Sequence, residues 1–194
     1  LSQLADISDL LIEDYPDFDE KTLEIFEKGE NLGITFGESR GMRKIFMLMK
    51  PRNIHDIAIA LALIRPSASM NGQKSEFLKD YSSFIADHHK YRGTKTEYFN
   101  REEHIDYLIF DDDAIQYISK LLFISEPEAD IYRKAFSKNK PKIKAKFIYK
   151  LKELHPEFSK DKIDIIVTLL EQLQAYSFCK SHAISYAKLV WALA

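Results

Sequence analysis

Cysteine occurs once in 194 residues, at position 179. One thiol cannot close an internal disulfide, so no cysteine framework holds this fold, and a lone thiol fits a reducing compartment. Glycine and proline number six each, too few for low-complexity linkers. No apolar run reaches the roughly 18 residues that a membrane span requires. The longest, IAIALALI at 57–64, ends at Arg65-Pro66. No signal-peptide pattern opens the chain, and no internal repeat is evident. The sequence starts at Leu1 and stops inside the apolar pattern YAKLVWALA; the expectation is a piece of a longer protein.

What is present is an ordinary globular composition. The hydrophobic fraction is 45% and the charged fraction 30%, values of a soluble protein. The length allows one domain with a substantial core. The net charge of −2 is unevenly spread. Between Ile131 and Lys152 lie nine basic residues: Arg133, Lys134, Lys138, Lys140, Lys142, Lys144, Lys146, Lys150 and Lys152. No Asp or Glu interrupts them. Such a block steers phosphates toward it whatever the total charge; the plainer reading is a solvated lysine-rich helix face.

Most segments carry a helical period. DEKTLEIFEKG sets Leu23 and Phe26 at helical spacing and ends at Gly29, a usual C′ residue. SRGMRKIFMLMKP predicts a helix stopped before Pro51. NIHDIAIALALIRP predicts one capped by Asn53. KSEFLKDYSSFIADHHKYRG places Phe77, Leu78, Tyr81, Phe84 and Ile85 on one face. DDDAIQYISKLLF follows the short apolar run YLIF, and SEPEADIYRKAF opens with a capping box, Ser125 with Glu128. SKDKIDIIVTLLEQLQAY repeats Ile163, Ile166, Val167, Leu170 and Leu173 as an apolar stripe. SHAISYAKLVWALA starts at Ser181, an N-cap type. KIKAKF alternates as a strand would, yet Ile143, Phe147, Leu151 and Leu154 fit a helix. Length favours the helix, with its lysines turned to solvent. Only GITFG at 33–37 and DYLIF at 106–110 suit strands. The expected class is mainly α, multi-helical, with at most two short strands.

Several stretches carry chemistry-bearing residues. Cys179, Lys180, Ser181 and His182 are consecutive. A Cys-His pair needs hydrogen-bond reach, usually supplied from distant parts of a chain, and C-x-x-H lacks the second half of a zinc site. Ser181 is more simply a helix cap, and Tyr176, Phe178 and Tyr186 suit a core. Asp111, Asp112 and Asp113 offer carboxylates to magnesium, but acidic residues at a helix start also complement its dipole. His88 and His89 have no matching cluster and suit the surface. Gly33, Gly37 and Gly41 lack the P-loop spacing.

Four blocks in order resemble one family. LGITFGESRGMRKIFMLMKP resembles Glu-Ser-x-Gly-Met followed by a helix. DIAIALALIRPSASM resembles a helix ending in Arg-Pro-Gly-Pro. DYLIFDDDAIQYISKLLFISEPEADIYRKAFSKNKP resembles a tyrosine-led acidic turn, a helix, Gly-Glu-Ala-Asp and an Arg-Arg block with a lysine run. AYSFCKSHAISYAKL resembles Tyr-Gly-Phe-Asn-Lys-Ser-His-Ala and a following Tyr-Ala. These are similar to the fingers-region blocks of the C-family replicative DNA polymerases. They agree in order over about 170 residues, from near Tyr15 onward. The family has Asn at Cys179, Gln-Glu-Gln at Asp111-Asp112-Asp113, Tyr at Phe110, and Gly at Ser137.

The resemblance implies a fingers-region piece spanning 1–194, with 1–50 next to the palm and 51–194 as the helical body. It implies a magnesium-dependent polymerase in which a primer 3′-hydroxyl attacks the nucleotide's α-phosphate between two metals. The magnesium would sit on palm aspartates outside this chain, so neither catalytic nor metal residues are expected here. Nucleotide binding falls to Arg133, Lys134, Lys138 and Lys140, with Lys180, His182 and Arg65 behind them. Lys142, Lys144 and Lys146 are expected to bind DNA. The implied partners are primer-template DNA and dNTP, with a sliding clamp and replisome subunits contacting other regions, no membrane, and a cytoplasmic location. Two other readings stand beside it: a non-catalytic polymerase-like DNA-binding subunit, and an unrelated helical module whose basic block binds nucleic acid.

Overall fold

The computed structural model describes residues 15, 16, 18–64, 78, 108–171 and 178–194. Among them are eight α-helices, with no strand or sheet: α1 (Glu20–Lys28), α2 (Arg40–Met49), α3 (Ile54–Leu63), α4 (Asp111–Leu122), α5 (Glu126–Ser137), α6 (Pro141–Leu154), α7 (Lys160–Glu171) and α8 (Lys180–Leu193). The class is mainly α, as the periodicity predicts. No helix among the described residues is long and apolar enough to cross a membrane. The chain divides into two compact units. The first holds α1 to α3 and the residues from Ser181 onward; the second holds α4 to α7 and ends at Lys180.

In the first unit, each of the three leading helices is capped by a residue of an N-cap type, the predicted Asn53 among them. The Asp19 carboxylate accepts from Thr22 N at 2.7 Å, Ser39 Oγ from Met42 N at 3.2 Å, and Asn53 Oδ1 from Asp56 N at 2.9 Å. Gly29 ends α1 in the left-handed conformation, φ 69°. The positive φ is what calls for glycine there; a Cβ would lie 2.8 Å from Met47 Sδ, on a half-exposed side chain that can move aside. Phe26 and Phe46 meet at 4.8 Å between centroids in the core of this unit. α3 is buried from Asp56 to Leu63 and so is apolar nearly all round. Asp56 is tolerated there because its carboxylate accepts from the Arg52 amide at 3.0 Å.

The expected strand at 33–37 is instead a run of turns. Gly33 and Phe36 have φ of 85° and 64°, which no strand accommodates. The side-chain amide of Asn31 donates to the Gly37 carbonyl, and Gly37 N and Glu38 N both donate to the Ile34 carbonyl. Local side-chain and turn bonds thus satisfy the backbone without a ladder. The second expected strand also fails to form over its described residues. Only Phe110 pairs, as one isolated parallel bridge with Phe178.

The second unit packs α4 to α7 around one apolar cluster that includes Ile118, Tyr132, Phe136, Phe147, Leu151 and Ile166. Phe147 contributes the central ring, 5.2 Å from Phe136 edge-on and 5.7 Å from Tyr132. The predicted capping box is present: Ser125 N donates to Glu128 Oε2 at 3.2 Å and Ser125 Oγ to the same oxygen at 3.0 Å. KIKAKF is helical within α6. Its lysines do not all face water. Lys144 is buried, its ammonium donating to Asn139 Oδ1 at 2.8 Å and Glu171 Oε1 at 2.9 Å. α8 begins at Lys180, so Ser181 lies inside the helix rather than capping it. The predicted helical face at 77–85 lies outside the described residues, apart from Leu78, which is helical.

Candidate functional site

The second unit gathers cations around the acidic turn that starts α4. Asp113, three residues into the helix, accepts from Phe110 N at 2.9 Å and so closes the helix start. Burial pushes its carboxyl above the usual range, opposed by that backbone hydrogen bond and by the Lys180 charge. Asp112 reaches across to the start of α8 and accepts from Lys180 N at 2.9 Å. Asp111 lies 3.4 Å from Arg133 Nη1. One turn of helix therefore holds two of the sequence-predicted nucleotide-binding residues, Arg133 through its side chain and Lys180 through its backbone. The Lys180 ammonium is 5.9 Å from the Phe110 ring centroid, at the edge of cation–π range.

Asp130 completes the arrangement. Arg133 Nε and Nη2 donate to its Oδ1 at 2.9 and 2.7 Å, and Lys134 Nζ lies 2.6 Å from its Oδ2. Burial alone would raise the Asp130 carboxyl; the hydrogen bonds from Lys134 and Arg133 outweigh it and hold the group below its ordinary value. Arg133 is largely enclosed and Lys134 is 58% exposed. The guanidinium is thus fixed in one orientation, while the ammonium beside it stays in reach of solvent.

The remaining predicted residues divide. Lys138 and Lys140 are exposed at the α5–α6 connection, and Lys142 and Lys146 are exposed on α6. Lys144 is the exception already described. His182 is exposed in the first turn of α8, in the portion that belongs to the first unit. Arg65 lies outside the described residues. Of the aromatic residues flanking the C-K-S-H run, Phe178 is buried, Tyr186 is exposed against Phe36 in the first unit, and Tyr176 lies outside the described residues. The described residues contain no group of three or more His, Cys, Asp or Glu side chains disposed to hold a metal ion. The three aspartates that invited magnesium each serve a different backbone or cationic partner. They do not furnish a magnesium site among the described residues.

Asp130 is legible in the sequence: it is the Asp of the stretch that resembles Gly-Glu-Ala-Asp, and it stands three residues before Arg133 and four before Lys134 on a predicted helix, the spacing of facing charges, although the resemblance assigns it no role. The bond from Lys180 N to Asp112 joins positions 68 apart, and no local pattern announces it. Tyr149, exposed among the lysines of α6, is likewise outside every motif of the sequence.

Helices without a strand among the described residues, and a cationic cluster arranged on an acidic helix start, fit the fingers class of the replicative polymerases. Residues 2–155 match the model of the bacterial DNA polymerase III alpha subunit finger domain, and the chain belongs to that family. It is similar to the DNA polymerase III subunit alpha of Thermotoga maritima, 26% identical over 191 residues, covering 98% of this chain and 21% of that protein. It is likewise similar to the subunit from Staphylococcus aureus, 27% identical over 194 residues, covering 93% of this chain and 17% of the relative. The chain therefore spans about a fifth of the length of these relatives.

Proposed function

We propose that this chain serves as the fingers of a DNA-directed DNA polymerase, with 1–50 next to the palm and 51–194 as the body, gripping the triphosphate of the incoming dNTP and covering the nascent base pair. The observation that carries the reading is the meeting of Arg133 and Lys180 at the acidic turn of α4, with Lys134 beside Arg133 on the shared Asp130 carboxylate. A guanidinium already oriented by Asp130 presents a fork that suits phosphate oxygens. The contact to Asp111 is the longer of its two carboxylate contacts, at 3.4 Å against 2.7 Å, and is the one a triphosphate would replace. Cations beside the β and γ phosphates stabilise the bound nucleotide and the charge that develops on departing pyrophosphate. Lys138, Lys140, His182 and Arg65 add positive or hydrogen-bonding groups in support, and Lys142 and Lys146 contact DNA. The magnesium of such an enzyme belongs on palm aspartates beyond these residues. Primer-template DNA is the working partner, in the cytoplasm, and a sliding clamp and other replisome subunits engage regions outside this chain.

The test is single-nucleotide incorporation by the full-length polymerase carrying this chain. Arg133→Ala should lower apparent dNTP affinity or incorporation efficiency by roughly tenfold to a hundredfold, the equivalent of about 1.5–3 kcal/mol for hydrogen bonds to charged groups. Arg133→Lys should recover only part, because the fork is lost. An Ala variant that incorporates like the parent would remove the triphosphate assignment and favour a structural role for Arg133 among its aspartates.

A further inference from the structure

The nine basic residues of the 131–152 block fall into two groups once their partners are known. Arg133, Lys134 and Lys144 are engaged by Asp130, Asp111 and Glu171. The other six, Lys138, Lys140, Lys142, Lys146, Lys150 and Lys152, make no side-chain ion pair among the described residues. Four of those six lie on α6, whose only acidic residue is Glu153, near its C-terminal end.

The outer face of α6 is not uniformly basic. Tyr149 is 68% exposed. It stands three residues after Lys146 and three before Lys152, and seven after Lys142, so all four share one side of the helix. All three of these lysines are exposed. The opposite side is fixed in the core through Phe147 and Leu151, so this helix cannot rotate to cover the ring.

We propose that the Lys142–Lys146–Tyr149–Lys152 face of α6 binds single-stranded DNA, with the lysines on phosphates and a base stacked on the Tyr149 ring. This inference rests on the polymerase reading above and names a separate surface within it, for the unpaired stretch of template. Charge complementarity selects a polyanion. The ring selects among polyanions: a duplex shows phosphates while its bases are stacked inside, so an exposed aromatic face gains little from it. An unpaired strand offers π-faces, and base–aromatic stacking on a basic surface is how sequence-tolerant single-strand sites are built.

The experiment is fluorescence anisotropy with the full-length polymerase carrying this chain, without nucleotide. It compares a blunt duplex with the same duplex bearing a single-stranded 5′ template overhang. Tyr149→Ala should weaken binding to the overhang substrate roughly tenfold and leave blunt-duplex affinity within about twofold. Tyr149→Phe keeps the ring and should bind as the parent does. Lys142→Gln with Lys146→Gln should flatten the salt dependence on the overhang substrate by about 1.4 in slope, near 0.7 for each phosphate no longer neutralised. Equal losses on both substrates, or no loss on the overhang, would overturn the proposal, the latter pointing to an acidic protein segment as the occupant. The measurement uses no dNTP, so failure of the triphosphate reading leaves it intact. Conversely, absence of the Tyr149 effect says nothing against Arg133.

Discussion

Asp130 shows how a single side chain ties local sequence to the candidate site. It receives Arg133 on one oxygen and Lys134 on the other, and its carboxyl is held below the ordinary value despite burial. A carboxyl depressed in the folded state adds stability above its unfolded pKa of ~3.9, and that contribution disappears as pH falls through the folded value. Asp130→Asn should therefore lower stability near neutral pH, by about 1 kcal/mol on the scale of partly exposed ion pairs. The difference from the parent should vanish in acid, where both chains carry a neutral group. Urea titrations at neutral pH and in acid below the depressed folded value of Asp130 check this; a penalty that persists unchanged there would show that packing, not charge, is what the variant loses. Lys144 illustrates the limit of such local reading. It lies on the core-facing stripe three residues before Phe147, and its polarity argues for solvent. A partner 27 residues away, Glu171, makes its burial tolerable, and nothing in the neighbouring sequence encodes that partner.

At the scale of elements, what reads well is what depends on the nearest few residues. The caps at Asp19, Ser39 and Asn53, the box at Ser125 and the left-handed Gly29 all form as their residue types require. The failures come where a distant segment or a backbone special case intervenes. At 33–37 the positive φ of Phe36 converts an apparent strand into turns. At α8 the Asp112 carboxylate meets the first helical amide, and the helix opens two residues earlier than a Ser181 cap would set it. α6 breaks a local rule of its own. Pro141 suits the first position, but no acidic residue stands in the first turn, no side chain caps it, and Lys140 and Lys142 crowd its positive end. Cations there oppose the helix dipole. Lys142→Glu should consequently stabilise the domain by about 0.5–1 kcal/mol, seen as a higher urea midpoint at constant slope, while weakening DNA binding. A variant that is less stable than the parent would mean that Lys142 serves the fold, and the case for a surface kept basic for a ligand would lose its energetic support.

For the molecule as a whole, each unit carries its own core, and the sequence supplies a probe that distinguishes them. The chain has a single tryptophan. Trp191 lies in the first unit, 4% exposed, with its indole donating to the Pro16 carbonyl at 2.7 Å. Its emission therefore reports that unit, whereas far-UV circular dichroism reports helices of both. Phe147 is the corresponding weak point of the second unit: fully buried, it meets Tyr132 and Phe136 within the cluster formed by α4 to α7. Truncation to alanine removes the central ring and leaves a cavity that four packed helices cannot easily collapse, at about 3–5 kcal/mol. That is a large share of a domain's total stability. In the purified chain, Phe147→Ala should lower the midpoint of the circular dichroism transition and separate it from the Trp191 emission transition, which should stay near the parent value. Phe147→Leu, which retains most of the apolar volume, should shift the dichroism midpoint much less. If both probes instead move together by the same amount, the two units unfold as one cooperative body, and the positions of Arg133 and Tyr149 would then depend on the first unit's core as much as on their own.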